Sequence, residues 1–88
     1  METAAPIEPP RLAPFDFTAE ERAMLSEAPP RLRMIEHLAE WIRPAALAEW
    51  AREENESFGG RSPLALIADD DFEPLEQMLY EFREGAYL

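Results

Sequence analysis

Apolar residues recur every three or four positions along most of this chain, and proline, glycine and acidic residues separate the stretches that carry them. The clearest stripe consists of Leu32, Ile35, Leu38, Ala39 and Ile42. It predicts an amphipathic central helix over residues 31–43, whose apolar face Met34 and Trp41 widen. No stretch alternates apolar and polar residues over enough positions to compete as a strand. The pattern therefore predicts an all-α fold.

Residues 19–28 are predicted to form the first helix. Thr18 and Glu21 have the spacing of a capping box, in which each side chain accepts a hydrogen bond from the backbone N–H of the other residue. The helix is expected to stop at Pro29 and Pro30, because a residue that precedes proline is pushed out of the α region. Pro30 is in turn well suited to open the second helix.

A third helix is predicted over residues 44–54, with Pro44 as its first residue. The residues expected to face inward from it are Leu47, Trp50 and Ala51. Since the second helix must end before Pro44, the two helices are expected to meet at an angle. Trp41 and Trp50 are both interpreted as core residues, because no basic side chains alternate with them as on a base-stacking surface.

The rest of the chain predicts a loop and two further helices, which makes a small domain of four to five helices. Residues 55–60 are expected to form the loop, because asparagine and paired glycines adopt positive φ at little cost. Ser62 and Pro63 supply the cap and the first residue of a short helix. The aspartates at 69–71 are expected to cap the last helix, 72–84, because negative charge suits a helix N-terminus.

The N-terminal end is predicted to be an extended, proline-rich arm over residues 1–14, followed by one helical domain over residues 15–88. Four of the nine prolines fall in the arm, where their fixed φ and missing N–H groups oppose both helix and sheet. Two interpretations of the arm stay open: a disordered tail, or a segment that docks Ile7 or Leu12 on the domain or on a partner.

Length and composition restrict the chemistry that this chain can perform. Its 88 residues form one small domain at most. The chain has no cysteine, and its single histidine, His37, lies beside Glu36 and Glu40 without the spacing of a metal motif. We therefore expect no metal, no cofactor and no enzymatic activity, because no nucleophile has a base partner beyond His37.

The charge balance is strongly acidic. Eight basic and 19 acidic residues give a net charge of −11, and every basic residue is an arginine. This balance disfavours direct binding to DNA. No apolar run approaches the roughly 20 residues of a membrane span, and residues 1–5 lack the basic start of a secretory signal. The sequence therefore predicts a cytoplasmic protein without membrane contact.

The acidic residues are concentrated in the second half of the chain. Residues 53–88 carry ten acids and two arginines, a net charge of −8, whereas residues 31–52 carry four arginines and three glutamates. Two interpretations account for this asymmetry. One is a solvated face, and the other is a surface complementary to a basic partner.

A longer pattern in the second half of the chain resembles a known family. It contains the segment FGGRSPLALI at residues 58–67, followed by an amphipathic helix and the ending GAYL. The residues that match in order are Trp50, Gly59, Gly60, Arg61, Pro63, Leu64, Leu66, Leu79, Gly85 and Tyr87. Over residues 31–88 the chain resembles the toxin-binding domain of the Xre/MbcA/ParS antitoxin family.

That resemblance implies a partner and an inhibitory end. The partner would be a RES-domain toxin, an NAD-degrading enzyme related in shape to ADP-ribosyltransferases, whose active site the antitoxin covers. The partner-binding residues carried over to this chain are Arg61, Arg83, Gly85, Tyr87 and Leu88. The residues that would shape the loop are Gly59, Gly60, Ser62 and Pro63. Arg61 is equally suited to lock the loop internally, and residues 1–30 lack the DNA-binding helix-turn-helix of many family members.

Two other functions stay open at this level. The first is an acidic mimic of DNA that inhibits a nucleic-acid-binding protein. Its candidate acidic residues are Glu53, Glu54, Glu56, Asp69, Asp70 and Asp71. The second is a self-associating helical scaffold, such as a homodimer, because two tryptophans and five phenylalanines in so short a chain exceed what one small core readily covers.

Overall fold

The computed structural model describes residues 12–85, which form five α-helices and a short 3₁₀ helix. The helices in chain order are α1 (Ala19–Ser26), α2 (Pro29–Leu38), α3 (Pro44–Arg52), the 3₁₀ helix (Glu56–Phe58), α4 (Pro63–Ala68) and α5 (Glu73–Arg83). Within this part of the chain no strand forms, apart from one isolated bridge between Asn55 and Arg61. The all-α prediction is therefore confirmed.

Residues 1–11 of the predicted arm lie outside the described residues. In its last part, Leu12 belongs to the core and is only 1% exposed, whereas Ala13 and Pro14 are exposed. The backbone N–H of Phe15 donates to the carbonyl of Leu12 over 3.2 Å, and the rings of Phe15 and Phe17 pack with centroids 5.7 Å apart. Docking of Leu12 on the domain, one of the open interpretations, is what the structure shows.

The predicted capping box at the start of α1 is confirmed. The Glu21 N–H donates to Thr18 Oγ1 over 3.1 Å, and the Thr18 N–H donates to Glu21 Oε1 over 2.9 Å. The same carboxylate accepts two hydrogen bonds from Arg52, at the end of α3. Arg52 also donates to the carbonyl of Asp16 over 2.6 Å, so this arginine ties the end of α3 to the start of α1.

The predicted extent of the second helix, residues 31–43, is wrong at its C-terminal end. α2 ends at Leu38, and residues 39–42 form a turn that precedes the extended Arg43. Arg43 is extended because it precedes Pro44, whose ring excludes the α region for the residue before it. The turn leaves the side chain of Trp41 46% exposed. Its interpretation as a core residue is therefore also wrong.

The core is centred on α4. The closest helix packing in the described chain is between α1 and α2 and between α4 and each of α1, α2 and α3. Leu66 and Ile67 of α4 are 1% and 0% exposed. α5 contributes Leu75 and Leu79 to the same core. None of the helices in residues 12–85 combines the length and the apolar character that a membrane crossing requires.

Candidate functional site

The loop before α4 requires two left-handed residues in succession. Gly59 and Gly60 have φ values of +70° and +84°, a region that residues with a Cβ rarely adopt. The Gly60 N–H donates to the carbonyl of Asn55 over 3.0 Å, and the Asn55 N–H donates to the carbonyl of Arg61 over 3.2 Å. A Cβ at either glycine would meet no atom within 4 Å. The requirement for glycine is therefore one of backbone conformation alone.

Ser62 and Pro63 start α4 directly after this loop. The Ser62 Oγ accepts a hydrogen bond from the N–H of Ala65 over 3.0 Å. Pro63 occupies the first turn, where its missing N–H leaves no helix hydrogen bond unmade. Pro63 is also buried, so the start of α4 is held by both the cap and the packing.

Arg61 is bonded within the chain. Its Nη2 donates to Asp69 Oδ2 over 2.6 Å, and its Nη1 donates to Asp71 Oδ2 over 3.1 Å. These contacts join the glycine loop to the turn between α4 and α5. The side chain remains 40% exposed, so the internal bonds leave one side of Arg61 accessible.

The prediction that Asp69, Asp70 and Asp71 cap the last helix is wrong. The residue that precedes α5 is Phe72, and no side chain accepts from the first turn of this helix. The three carboxylates instead bind the guanidinium groups of Arg31 and Arg61. These charge-assisted hydrogen bonds occupy the carboxylates, while Phe72 stands at the N-cap position of α5.

Arg31 is the buried charged residue among residues 12–85, with 8% of its surface exposed. Its Nε and Nη2 donate to the two oxygens of Asp70 over 3.0 and 3.3 Å. Its Nη1 donates to the carbonyl of Met24 and to Glu27, and Nη2 also donates to the carbonyl of Ala68. Arg31 thus links the turn between α1 and α2 to the turn between α4 and α5.

This ion pair shifts the ionisation of both partners. The hydrogen bonds from Arg31 hold the pKa of the Asp70 carboxyl below its usual value, and Asp70 raises the pKa of Arg31. Because the folded-state pKa of Asp70 is depressed, its contribution to stability is complete above the unfolded-state pKa. That contribution is lost as the pH falls through the folded-state pKa.

Asp70→Asn is expected to lower the thermal midpoint at neutral pH and to flatten its decline in acid. Asn tolerates the backbone of Asp70, whose φ is +56°, so the substitution removes the charge with little added strain. Thermal unfolding from pH 7 to pH 2 measures both effects. Glu54→Gln removes the same charge from an exposed site and controls for net charge. An Asp70→Asn profile parallel to the wild type would contradict the role of the ion pair.

An open groove lies between α3, the 3₁₀ helix and α5, and we call it the α5 groove. Its volume is about 580 Å³. The residues that line it are Ile42, Trp50, Asn55, Ser57, Phe58, Pro74, Gln77, Met78, Glu81 and Phe82. Two large apolar side chains are exposed in the described chain, Trp41 at 46% and Tyr80 at 55%. The Trp41 ring packs against Phe82, with ring centroids 5.5 Å apart, so Trp41 adjoins the groove.

The residues predicted for the inhibitory end lie at the C-terminal end of α5 or beyond it. Arg83 is exposed in the last turn, and Gly85 follows the helix with a φ of +76°. Tyr87 and Leu88 lie outside the described residues. The structure thus places Arg61 with Asp69 and Asp71, and it places Arg83 and Gly85 separately, at the end of α5.

Sequence reasoning missed both the Arg31 ion pair and the α5 groove. The sequence holds no local signal for the ion pair, because Arg31 and Asp70 are 39 residues apart. Pro44 three residues after Trp41 was the available signal for the exposed tryptophan that adjoins the groove. No group of three or more potential metal ligands occurs among residues 12–85.

Comparison of the chain with known proteins adds no assignment to these observations. No family model, curated protein or solved structure matches it. The resemblance to the antitoxin family therefore stays a prediction that rests on the residues quoted for it.

Proposed function

We propose that this chain is an antitoxin-type protein-binding module, which neutralises a RES-like, NAD-degrading toxin by covering its active site. The observation that carries the proposal is the exposure of two large aromatic side chains, Tyr80 on α5 and Trp41 beside it. Tyr80 is 55% exposed, and the exposed Trp41 packs on Phe82 of the same helix. Tyrosine and tryptophan are enriched among the residues that contribute most to binding at protein interfaces.

The position of Tyr80 supports inhibition by the C-terminal end. The residues proposed for inhibition follow it closely along the chain: Arg83, Gly85, Tyr87 and Leu88. In a complex in which the toxin contacts α5, these residues would therefore lie beside that contact. Inhibition of this kind needs occlusion alone, without any catalytic group of this chain.

The DNA-mimic alternative loses support from the ion pairs. Asp69, Asp70 and Asp71 make up half of the six acids on which that hypothesis depends. All three are partly neutralised, by Arg31 and Arg61. A surface that competes with DNA for a basic groove depends on uncompensated negative charge, so the exposed aromatic residues are the better guide to the partner.

Co-purification with the protein encoded beside this chain tests the proposed function. We expect the two proteins to form a complex, and we expect the neighbour to consume NAD alone but not in the complex. Absence of a complex, or a neighbour without NAD-consuming activity, would contradict the proposal. Light scattering of the chain alone at micromolar concentration tests self-association, which would use the same exposed aromatic residues.

A matched pair of variants tests whether the complex involves Tyr80. Tyr80→Glu places a charge on α5, and loss of a central aromatic contact is expected to weaken the complex at least about tenfold. Ala23→Glu adds the same charge at an exposed position of α1 and is expected to leave the affinity unchanged. If the two variants bound the partner with equal affinity, the contact with the partner would not involve Tyr80.

A further inference from the structure

The α5 groove is an apolar surface that the described residues do not fill. Trp50 and Phe58 lie on one side of it, and Met78 and Phe82 of α5 lie on the other. The α5 residues that line it extend from Pro74 to Phe82, a length of about 12 Å at the rise of an α-helix. The groove is therefore long enough to contact about two turns of a second helix.

Two hydrogen bonds within the chain involve polar residues of the groove. The Asn55 Oδ1 accepts from the N–H of Ser57 over 2.8 Å, and the Gln77 Nε2 donates to Glu81 Oε2 over 3.4 Å. Sites for small polar ligands depend on a few polar groups that converge on the ligand. Because part of its polar groups bond within the chain and six of its ten lining residues are apolar, the groove favours an occupant that supplies apolar side chains.

The charges around the groove indicate the charge that the occupant would carry along its flanks. Glu81 is the one charged residue among those that line it. The exposed acids next to Asn55 in the sequence are Glu53, Glu54 and Glu56. The arginines nearest to these three glutamates along the chain, Arg52 and Arg61, are bound to carboxylates, and Arg83 follows Glu81 by two residues. An apolar groove with glutamates beside it is complementary to a segment that carries basic side chains next to apolar ones.

We propose that the α5 groove binds a short amphipathic helix of a partner protein, with leucine-like side chains on one face and lysine or arginine along its flanks. Helices dock in apolar grooves through side chains at positions i, i+3 or i+4, and i+7, which matches a groove about two helical turns long. This inference goes beyond the antitoxin function, because any partner with such a segment would fit. The groove residues all precede Gly85 in the chain. An experiment can therefore disprove groove binding without disproving inhibition by the C-terminal end, and the reverse is also true.

Intrinsic fluorescence tests the proposal directly, because both tryptophans of the chain are at the groove. Trp50 lines it, and Trp41 packs on Phe82, which also lines it. The probe is a helical peptide of about 18 residues, built from leucine, alanine and lysine with the leucines on one face. Titration into the full chain is expected to give a saturable shift of the tryptophan emission to shorter wavelength.

A matched pair of charge reversals separates the groove from general charge attraction. Glu81→Lys is expected to weaken peptide binding about five- to tenfold, because it reverses the charge inside the groove. Glu76→Lys makes the same change on the same helix, at an exposed position that does not line the groove. It is expected to alter the affinity by less than about twofold. Should Glu81→Lys fail to fold, Glu81→Gln serves instead, with a loss of about threefold.

Three results would overturn the proposal. The first is equal binding of a peptide with the same composition but scattered leucines, which would reflect attraction to the net charge of −11 alone. The second is equal binding of a peptide with glutamate in place of lysine. The third is a tryptophan spectrum that shifts with protein concentration in the absence of peptide, which would assign the groove to a second copy of this chain.

Discussion

Ile67→Ala is expected to lower the free energy of unfolding by about 2–5 kcal/mol, the range for truncation of a buried aliphatic side chain. Ile67 is 0% exposed, and its helix packs against α1, α2 and α3. A cavity at this point cannot close by the movement of one helix without disturbing the contacts of the others. Since small domains have about 5–15 kcal/mol of stability in total, we expect partial unfolding near physiological temperature. Urea denaturation followed by circular dichroism measures the change.

Two further variants control for this result. Ile67→Val removes one methylene and is expected to cost about 0.5–1.5 kcal/mol. Ala65→Ser changes an exposed residue of the same helix and is expected to alter stability by less than about 0.5 kcal/mol. A loss from Ile67→Ala no greater than that from Ile67→Val would contradict the central position of α4 in the core.

If this chain inhibits a toxin as proposed, deletion of residues 85–88 is expected to weaken that inhibition strongly. Full burial of Tyr87 and Leu88 in a complex would contribute about 1.5–3 kcal/mol for each side chain. Their joint loss would therefore weaken the complex by about a hundredfold or more. NAD consumption by the toxin, measured against increasing concentrations of the full and shortened chains, gives the two inhibition constants.

The shortened chain is expected to stay folded, because the buried residues of α5, Leu75 and Leu79, precede the deletion. Thermal unfolding provides that control. The double substitution Tyr87→Ala and Leu88→Ala keeps the length of the chain and is expected to give nearly the same loss of inhibition. Unchanged inhibition by the shortened chain would refute occlusion by the C-terminal end, while leaving the binding of a helix in the α5 groove untouched.

Local signals in the sequence predict the helices of this fold well. They misplace the end of the second helix, where the apolar stripe continues into a turn. The apolar stripe of the second helix continues through Ala39 and Ile42, although the helix ends at Leu38. The turn retains two helix-like hydrogen bonds, from the Ala39 N–H to Ile35 and from the Ile42 N–H to Leu38. Apolar spacing therefore persists beyond the helix itself. The extended backbone of Arg43 and the exposure of Trp41 show that the chain has turned.

The candidate site was less predictable, because it depends on contacts between distant parts of the chain. Asp69 and Asp71 are of a residue type that is favoured in helix caps, yet both bind Arg61, eight and ten residues away. The α5 groove arises from the way α5 lies beside α3, with Trp50 on one side and Phe82 on the other. Periodicity along a single helix shows which face is apolar, but it does not show how much of that face a neighbouring helix covers.

The contact between Arg31 and Asp70 also has a consequence for the order of events in folding. It joins two turns that are 39 residues apart, and closing a loop of this length carries an entropic cost that local helix formation does not. We therefore expect this contact to form late in folding, after the two segments that it joins have formed. Interactions made after the folding transition state slow unfolding without speeding folding. We infer that this ion pair acts mainly on the lifetime of the folded state.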